Sequence, residues 1–143
     1  MDEAVKILVV DDEPLALRAV SRLLQKSGYQ VAQASSGEEA LRRVREDAPD
    51  LILLDVVLPD IDGVKVCRRI KADPQLADSF VVLFSGIKTA SEEKAGGLEA
   101  GADGYVARPI SNRELLARVR AMLRIKRAED ALRASHRRLE ETL

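Results

Sequence analysis

Five short apolar runs alternate with segments of helical spacing, and this alternation restricts the fold more than any other feature of the chain. Most of the runs are continuously apolar, which is typical of strands buried on both faces. Each is followed by a segment whose apolar residues recur at helical spacing. The pattern predicts an α/β fold in which a parallel sheet carries helices on both faces. The runs are Ile7-Leu8-Val9-Val10, Gln30-Val31-Ala32, Leu51-Ile52-Leu53-Leu54, Phe80-Val81-Val82-Leu83-Phe84 and Gly104-Tyr105-Val106, and the helical segments are Leu15 to Leu24, Glu38 to Arg45, Val64 to Ile70, roughly 90–99 and everything after Ser111.

The last helical segment is unusually long. From Ser111 to Leu143 the chain contains no Gly or Pro, which predicts a single helix about 50 Å long at 1.5 Å per residue. Its first half has an apolar face, but beyond it the pattern thins to Ile125, Leu132 and Leu139 at sevenfold spacing. We therefore expect a globular domain over residues 1–124 and a helical linker over 125–143 that leads toward a further domain. The same spacing would allow a homodimer through this helix.

Composition excludes several classes of protein. With 143 residues, 46% hydrophobic and 33% charged, the chain is large enough for one domain with a real core. A formal net charge of −1 argues against a nucleic-acid partner. The single cysteine, Cys67, has no internal disulfide partner, and no apolar run approaches the 18 or so residues of a membrane span. We therefore expect a cytoplasmic protein that does not contact membranes.

Charged or hydroxylated residues follow the strands. Asp11 and Asp12 come after the first, Asp55 after the third, Ser85 after the fourth and Arg108 after the fifth. Because the working site of an open α/β sheet lies beyond the carboxyl ends of its strands, these side chains should converge. Adjacent carboxylates repel unless a cation lies among them, and oxygen-only ligands favour Mg²⁺. Such a site fits phosphoryl transfer to an aspartate nucleophile.

Three segments resemble the receiver domains of two-component response regulators. The segments lie within residues 5 to about 124, in the family's order and at its spacing. The resemblance implies a flavodoxin-like doubly wound sheet of five parallel strands in the order 2-1-3-4-5. It also implies a cytoplasmic phosphoprotein of phosphorelay signal transduction, with the receiver domain over 1–124. The segments are Leu8-Val9-Val10-Asp11-Asp12-Glu13-Pro14, Leu53-Leu54-Asp55-Val56-Val57-Leu58-Pro59-Asp60-Ile61-Asp62-Gly63 and Gly101-Ala102-Asp103-Gly104-Tyr105-Val106-Ala107-Arg108-Pro109-Ile110.

The resemblance assigns roles to the acidic residues. Asp55 would be the phospho-acceptor, taking its phosphoryl group from a phosphohistidine on a histidine kinase or a histidine phosphotransfer protein. Asp12, Asp55 and the backbone carbonyl of Val57 would hold Mg²⁺, and Asp11 would contribute through water.

Three further positions would contact the phosphoryl group or respond to it. Ser85 matches the hydroxyl that bonds a phosphoryl oxygen, and Tyr105 matches the aromatic residue that changes rotamer with it. Arg108 stands where the family usually has lysine, so the phosphoryl contact could shift, become bidentate or turn outward. Val57 and Ile87 near the acceptor are apolar and cannot orient water by hydrogen bonding, which predicts a long-lived phosphoryl group.

Several alternatives stay open. The leading hypothesis is a phosphorylation-controlled switch with no independent enzymatic activity beyond self-catalysed phosphoryl transfer and dephosphorylation. The parent chain could be a hybrid sensor histidine kinase, and a DNA-binding response regulator is a less favoured alternative because no winged-helix segment follows. A phosphohydrolase would need a carboxylate at Val57, and a nucleotide binder would need a glycine-rich motif that we do not find. Asp60 and Asp103 are interpreted as turn formers, Cys67 as a buried residue and His136 as a solvated helix residue.

Overall fold

The computed structural model describes residues 4–86 and 90–142, with the backbone alone for residues 90–94. Strands and helices alternate along the chain, as the sequence predicts, and each element lies within a few residues of its expected bounds. In chain order the elements are β1 (Lys6–Val10), α1 (Pro14–Lys26), β2 (Gln30–Ala34), α2 (Gly37–Asp47), β3 (Leu51–Asp55), α3 (Gly63–Ala72), β4 (Phe80–Ser85), α4 (Ala90–Glu99), β5 (Gly104–Ala107) and α5 (Asn112–Thr142).

The strands form one parallel sheet in the order β2-β1-β3-β4-β5, which confirms the predicted fold. The position of β3 at the centre of the sheet explains why its sequence is continuously apolar. Its residues 51–54 are at most 1% exposed. Alternate side chains face opposite layers: Ile52 and Leu54 pack in the core with α2 and α3, while Leu51 and Leu53 pack in the core with α1 and α5. The sheet is therefore covered on both faces.

Side chains that cap helices fix where the helices begin. The Glu13 carboxylate accepts hydrogen bonds from the first turn of α1, and Pro14 occupies the first helical position. Ser36 caps α2 and Asp62 caps α3 in the same way. Gly28, after the end of α1, has φ +94°, a conformation that glycine adopts without strain. These local signals agree with the predicted boundaries.

Asp60 does more than form the turn after β3. Its Oδ1 accepts a hydrogen bond from the Gly37 amide at 2.8 Å, and its Oδ2 accepts one from the Glu38 amide at 2.9 Å. These two bonds lower the pKa of Asp60. The loop between β3 and α3 is thus tied to the start of α2, a link between separate elements that the sequence reading missed.

Asp103 also connects distant elements. Its Oδ2 lies 2.7 Å from Lys71 Nζ at the end of α3 and accepts a hydrogen bond from the Val81 amide of β4 at 2.9 Å. The interpretation of Asp103 as only a turn former was therefore too narrow. Cys67, in contrast, is fully buried as expected, and burial raises the pKa of its thiol to about 11.

The long helix α5 is continuous, as predicted, and its contacts with the body continue past residue 124. Leu115, Val119 and Leu123 are buried against the sheet. Lys126 is only 7% exposed and pairs with Asp130 at 2.7 Å. Farther along, Arg133 lies 3.8 Å from Asp78 in the loop before β4. The first half of α5 therefore closes the core, and the next turns still contact the body.

On the side away from those contacts, α5 presents apolar side chains to solvent. Ile125, Leu132 and Leu139 are 53%, 71% and 63% exposed. His136 is exposed beside Glu140, in line with its interpretation as a solvated residue. Among residues 4–86 and 90–142, no helix combines the length and the apolar character needed to cross a bilayer.

Candidate functional site

Three carboxylates meet at the carboxyl end of the sheet. Asp55 is the last residue of β3, Asp11 directly follows β1 and Asp12 comes next. Because β1 and β3 are parallel neighbours, their ends lie side by side. One oxygen from each carboxylate lies within 4.8 Å of the others. The convergence predicted for these three residues is therefore observed.

Backbone amides orient two of these carboxylates. Asp11 is 5% exposed, and its Oδ1 accepts a hydrogen bond from the Glu13 amide at 2.9 Å. Asp55 Oδ1 accepts a hydrogen bond from the Val57 amide at 3.0 Å. In both residues the other oxygen, Oδ2, is the one nearer to Arg108. Each carboxylate thus has one oxygen held by the backbone and one directed into the site.

A glycine at the start of α3 lets the loop after Asp55 turn back tightly. The Gly63 amide donates to the Val56 carbonyl at 2.8 Å, and a Cβ on Gly63 would collide with the backbone oxygen of Asp55. Only glycine permits this close approach. The tight turn brings the Val57 amide beside the Asp55 carboxylate.

Arg108 points into the site rather than outward. Its Nη2 lies 3.4 Å from Asp11 Oδ2 and 3.3 Å from Asp55 Oδ2. Its guanidinium carbon lies 5.1 Å from the centroid of the Phe84 ring, and its backbone amide donates to the Ser85 carbonyl at 2.7 Å. The side chain therefore does not turn outward in this structure, which was one of the three alternatives for Arg108.

Burial and a neighbouring carboxylate disfavour the charged form of Asp55. Burial is the largest influence and raises the pKa of Asp55, and the neighbouring Asp11 carboxylate raises it as well. The Val57 amide and the Arg108 guanidinium act in the opposite direction without cancelling the effect. Because three carboxylates lie close together here, their oxygens suit a hard divalent ion such as Mg²⁺, which would stabilise the charged forms.

The remaining predicted residues lie on the adjoining strands. Ser85 ends β4, is 3% exposed and donates from Oγ to the Gly86 carbonyl at 3.0 Å. Tyr105 of β5 is half-buried, lies beside Leu83 in the strand register and packs against the core on the α3 side. The Val57 side chain is 69% exposed. Ile87 lies outside the described residues.

Phe84 is a residue of the site that the sequence analysis did not identify. It was counted only as part of a buried strand, and its ring is indeed 6% exposed. An aromatic residue directly before the hydroxyl at the end of β4, in a chain that also has arginine for lysine, is the signal that could have pointed to it. Contact between the two side chains depends on β4 and β5 being neighbours, which is a property of the fold.

Comparison with known proteins agrees with this geometry. A model of the response regulator receiver domain matches residues 7–120. The alkaline phosphatase synthesis transcriptional regulatory protein PhoP of Bacillus subtilis is 43% identical over 136 residues, which are 95% of this chain and 55% of PhoP. The chain spans about half the length of the curated relatives it matches.

Solved structures show the same architecture. A putative response regulator from Chloroflexus aurantiacus superposes with a TM-score of 0.80 at 34% identity, covering 85% of this chain and 98% of the other. The receiver domain of a signal transduction histidine kinase from Syntrophus aciditrophicus superposes with a TM-score of 0.78 at 32% identity, covering 84% and 90%. The similarity in both cases extends over nearly the whole of the other chain.

Proposed function

The chain belongs to the response regulator receiver family, whose members are phosphoryl-accepting signalling switches, and we propose that Asp55 is its phospho-acceptor. The observation that carries the proposal is the cluster of Asp11, Asp12 and Asp55, with oxygens within 4.8 Å at the end of β1 and β3. Asp55 lies at the centre of this edge of the sheet, and Arg108 reaches it from β5. The other acidic residues of the cluster follow the neighbouring strand.

In the proposed transfer an Asp55 oxygen attacks the phosphorus atom of a phosphohistidine. The phosphorus–nitrogen bond breaks, its electron pair stays on the imidazole, and that nitrogen then takes up a proton. Asp12, Asp55 and the Val57 carbonyl would hold Mg²⁺, with Asp11 acting through water. When bound, Mg²⁺ neutralises charge on the carboxylates and the phosphoryl oxygens.

The partner follows from the same proposal. Response regulators generally take their phosphoryl group from histidine kinases, and we infer a histidine kinase or a histidine phosphotransfer protein as the donor to this chain. The typical location of response regulators, the cytoplasm, is our proposal for this chain as well.

Intact-mass measurement with a small phosphodonor tests the acceptor. The wild-type chain should gain one phosphoryl group in the presence of Mg²⁺ and none after chelation, and Asp55→Asn should gain none. Asp78→Asn changes an exposed carboxylate outside the site and should behave like wild type. Phosphorylation of Asp55→Asn at the wild-type level would overturn the assignment.

Ser85 and Tyr105 are proposed to transmit phosphorylation to the surface formed by α4, β5 and α5. The Ser85 hydroxyl would leave the Gly86 carbonyl to bond a phosphoryl oxygen, and the Tyr105 ring would change rotamer. Their positions on adjacent strands support this. Ser85→Ala should still be phosphorylated while the Tyr105 ring resonances no longer shift on phosphorylation. An undiminished shift would contradict the proposal.

We further propose a receiver over residues 1–124 and a helical linker over 125–143 that leads to a downstream domain. The first turns of this linker stay in contact with the receiver. Two outputs remain candidates. The Syntrophus aciditrophicus receiver comes from a signal transduction histidine kinase, which favours a hybrid kinase. PhoP is a transcriptional regulatory protein, which favours a DNA-binding output. The reading frame beyond Leu143 distinguishes a kinase module from a DNA-binding one.

A homodimer through α5 is also proposed. Ile125, Leu132 and Leu139 form an exposed stripe at heptad spacing, which a second copy of the helix would cover. Ala128 and Ser135 at the intervening core positions predict weak association. Sedimentation should show concentration-dependent dimers that Leu132→Glu abolishes and Leu98→Glu, on α4, does not. A chain that stays monomeric at every concentration would rule out the dimer.

A further inference from the structure

Phe84 places an aromatic ring beside the cation of the site. The Arg108 guanidinium carbon lies 5.1 Å from the ring centroid, within the range of a cation–π interaction. Phe84 is the penultimate residue of β4, and the strand register sets it next to Asp55 on β3 and Val106 on β5. The ring is 6% exposed, so the surrounding core restricts its position. Phe84 is therefore a fixed surface at the edge of the acidic cluster.

The ion pairs of Arg108 are long and partly exposed, so each is a weak restraint on a long side chain. The side chain is 37% exposed, and the same nitrogen, Nη2, makes both contacts, at 3.3 and 3.4 Å. Strong charge-assisted hydrogen bonds are shorter, roughly 2.7–2.9 Å. Ordering a long arginine side chain also costs conformational entropy. Contact with the Phe84 ring offsets this entropy cost and does not involve the carboxylates.

The position of Arg108 matters because it contacts carboxylates that would also serve the metal. Asp11 and Asp55 belong to the cluster that suits Mg²⁺, and both face the guanidinium through Oδ2. A guanidinium held there supplies part of the positive charge that the cluster requires. Two cations drawn to the same oxygens repel each other, so each weakens the binding of the other.

We propose that Phe84 is a positioning residue, which holds Arg108 over Asp11 and Asp55 so that the guanidinium competes with Mg²⁺ for these carboxylates. Arginine stacks on aromatic faces through its planar group, whereas lysine is a compact point charge that needs no such surface. Phe84 and Arg108 thus act as a matched pair in this chain. The inference rests on the proposed function for the identity of the metal site, but its test requires no phosphorylation.

Mg²⁺ titration of the unphosphorylated full chain, followed by amide NMR shifts of residues 11–13 and 55–57, tests the proposal. Phe84→Leu should tighten Mg²⁺ binding about 2- to 5-fold, the equivalent of a partly exposed cation–π contact. Phe84→Tyr keeps the ring and should bind Mg²⁺ like wild type. Arg108→Ala should tighten binding at least as much as Phe84→Leu. Adding Phe84→Leu to Arg108→Ala should then change nothing further.

A matched control separates positioning from a general loss of packing. Phe80 is on the same strand and in the same hydrophobic core, four residues from Phe84 and away from the cluster. Phe80→Leu should leave Mg²⁺ affinity unchanged. If Phe84→Leu does not fold, Phe84→Met removes the ring while keeping the bulk, and the same tightening is expected.

Two results would overturn the proposal: unchanged Mg²⁺ affinity in a folded Phe84 variant without a ring, or the same tightening in the Arg108→Ala background. Neither depends on the phospho-acceptor. If Asp55 accepted no phosphoryl group but the Mg²⁺ series followed expectation, the proposed function alone would fail. If Asp55 were phosphorylated while Phe84→Leu left Mg²⁺ affinity unchanged, only the positioning role would fail.

Discussion

Arg108, in place of lysine, changes the contacts of the site without changing its charge. Its guanidinium lies between Asp11 and Asp55 and against the Phe84 ring. A lysine could supply the same charge but not the planar group that stacks on the ring. The difference between the two residues should therefore affect rates and affinities more than the ability to accept phosphate.

Arg108→Lys tests that expectation at the level of phosphorylation. Both wild type and variant should be phosphorylated on Asp55, but at different rates, because the compact ammonium contacts the phosphoryl oxygens in another geometry. The measurement is a time course of intact mass with a small phosphodonor at saturating Mg²⁺. Arg120→Lys, on the exposed face of α5, serves as the control. A wild-type chain that no donor phosphorylates would contradict the prediction.

Val57 gives a second prediction at this scale. Its side chain is 69% exposed beside Asp55, the proposed acceptor, and cannot align a water molecule by hydrogen bonding. Val57→Asn introduces a donor and an acceptor, and should shorten the lifetime of phospho-Asp55. Because the position is exposed, the change should leave the fold intact.

The decay of the phosphorylated mass after removal of the donor measures that lifetime. Val57→Ala, which stays apolar, is the matched control and should keep the slow decay. Equal decay rates for Val57→Asn and Val57→Ala would count against a role for this position.

At the scale of elements, Asp60 connects the loop after β3 to the first turn of α2. The amides of Glu38 and Gly37 hold the pKa of Asp60 below its ordinary value, so folding favours the charged carboxylate. This stabilisation is present above the unfolded pKa and is lost as the pH falls through the lower folded value. The link should therefore weaken in acid.

Asp60→Ala should lower the melting temperature at neutral pH, and the difference from wild type should shrink as the pH falls through the folded pKa of Asp60. Asp60→Asn keeps an acceptor oxygen without the charge, so its melting temperature should lie between those of wild type and Asp60→Ala. Thermal unfolding followed by circular dichroism at several pH values provides the measurement. A difference that stays constant down to the acid limit would show that the charge of Asp60 is unimportant.

The adjacent glycines of α4 have different roles. A Cβ on Gly96 would meet nothing within 4 Å, whereas one on Gly97 would lie 2.5 Å from Leu83 Cδ1. Gly96→Ala should therefore stabilise the chain by about 1 kcal/mol through helix propensity. Gly97→Ala should destabilise it, because overpacking costs roughly 1–3 kcal/mol and exceeds that gain. Chemical denaturation of both variants compares them directly, and equal effects would contradict this assignment.

The sequence pattern was sufficient to predict the helices, the strands and the acidic cluster, because all of these follow from local rules. Buried parallel strands are continuously apolar, and strand-end residues of a parallel sheet meet at one edge. The roles of Asp60, Asp103 and Phe84 could not be predicted in this way. Each depends on which distant backbone or side chain the fold brings near. Only for Phe84 does the sequence hold a signal, and that signal joins the ends of two separate strands rather than one local pattern.

At the scale of the whole molecule, the first part of α5 packs against the domain and the last part extends away from it. Lys126 lines a hollow with Pro49, Leu76 and Ser79 and is 7% exposed. The pair of Arg133 with Asp78 is the last contact with the body that we describe among residues 112–142. A chain cut at residue 124 would lose both of these contacts.

Shortened chains distinguish the two parts of the helix. At concentrations where the chain is monomeric, a chain of residues 1–133 should melt at the temperature of the full chain and accept phosphate equally well, because it keeps the Lys126 and Arg133 contacts. A chain of residues 1–124 should melt at a lower temperature, since the hollow beside Pro49 is uncovered and the end of α5 frays near Leu123. Lys126→Ala in the full chain should reproduce part of that loss. Equal melting temperatures for residues 1–124 and the full chain would instead mean that the turns after residue 124 contribute nothing to the stability of the fold.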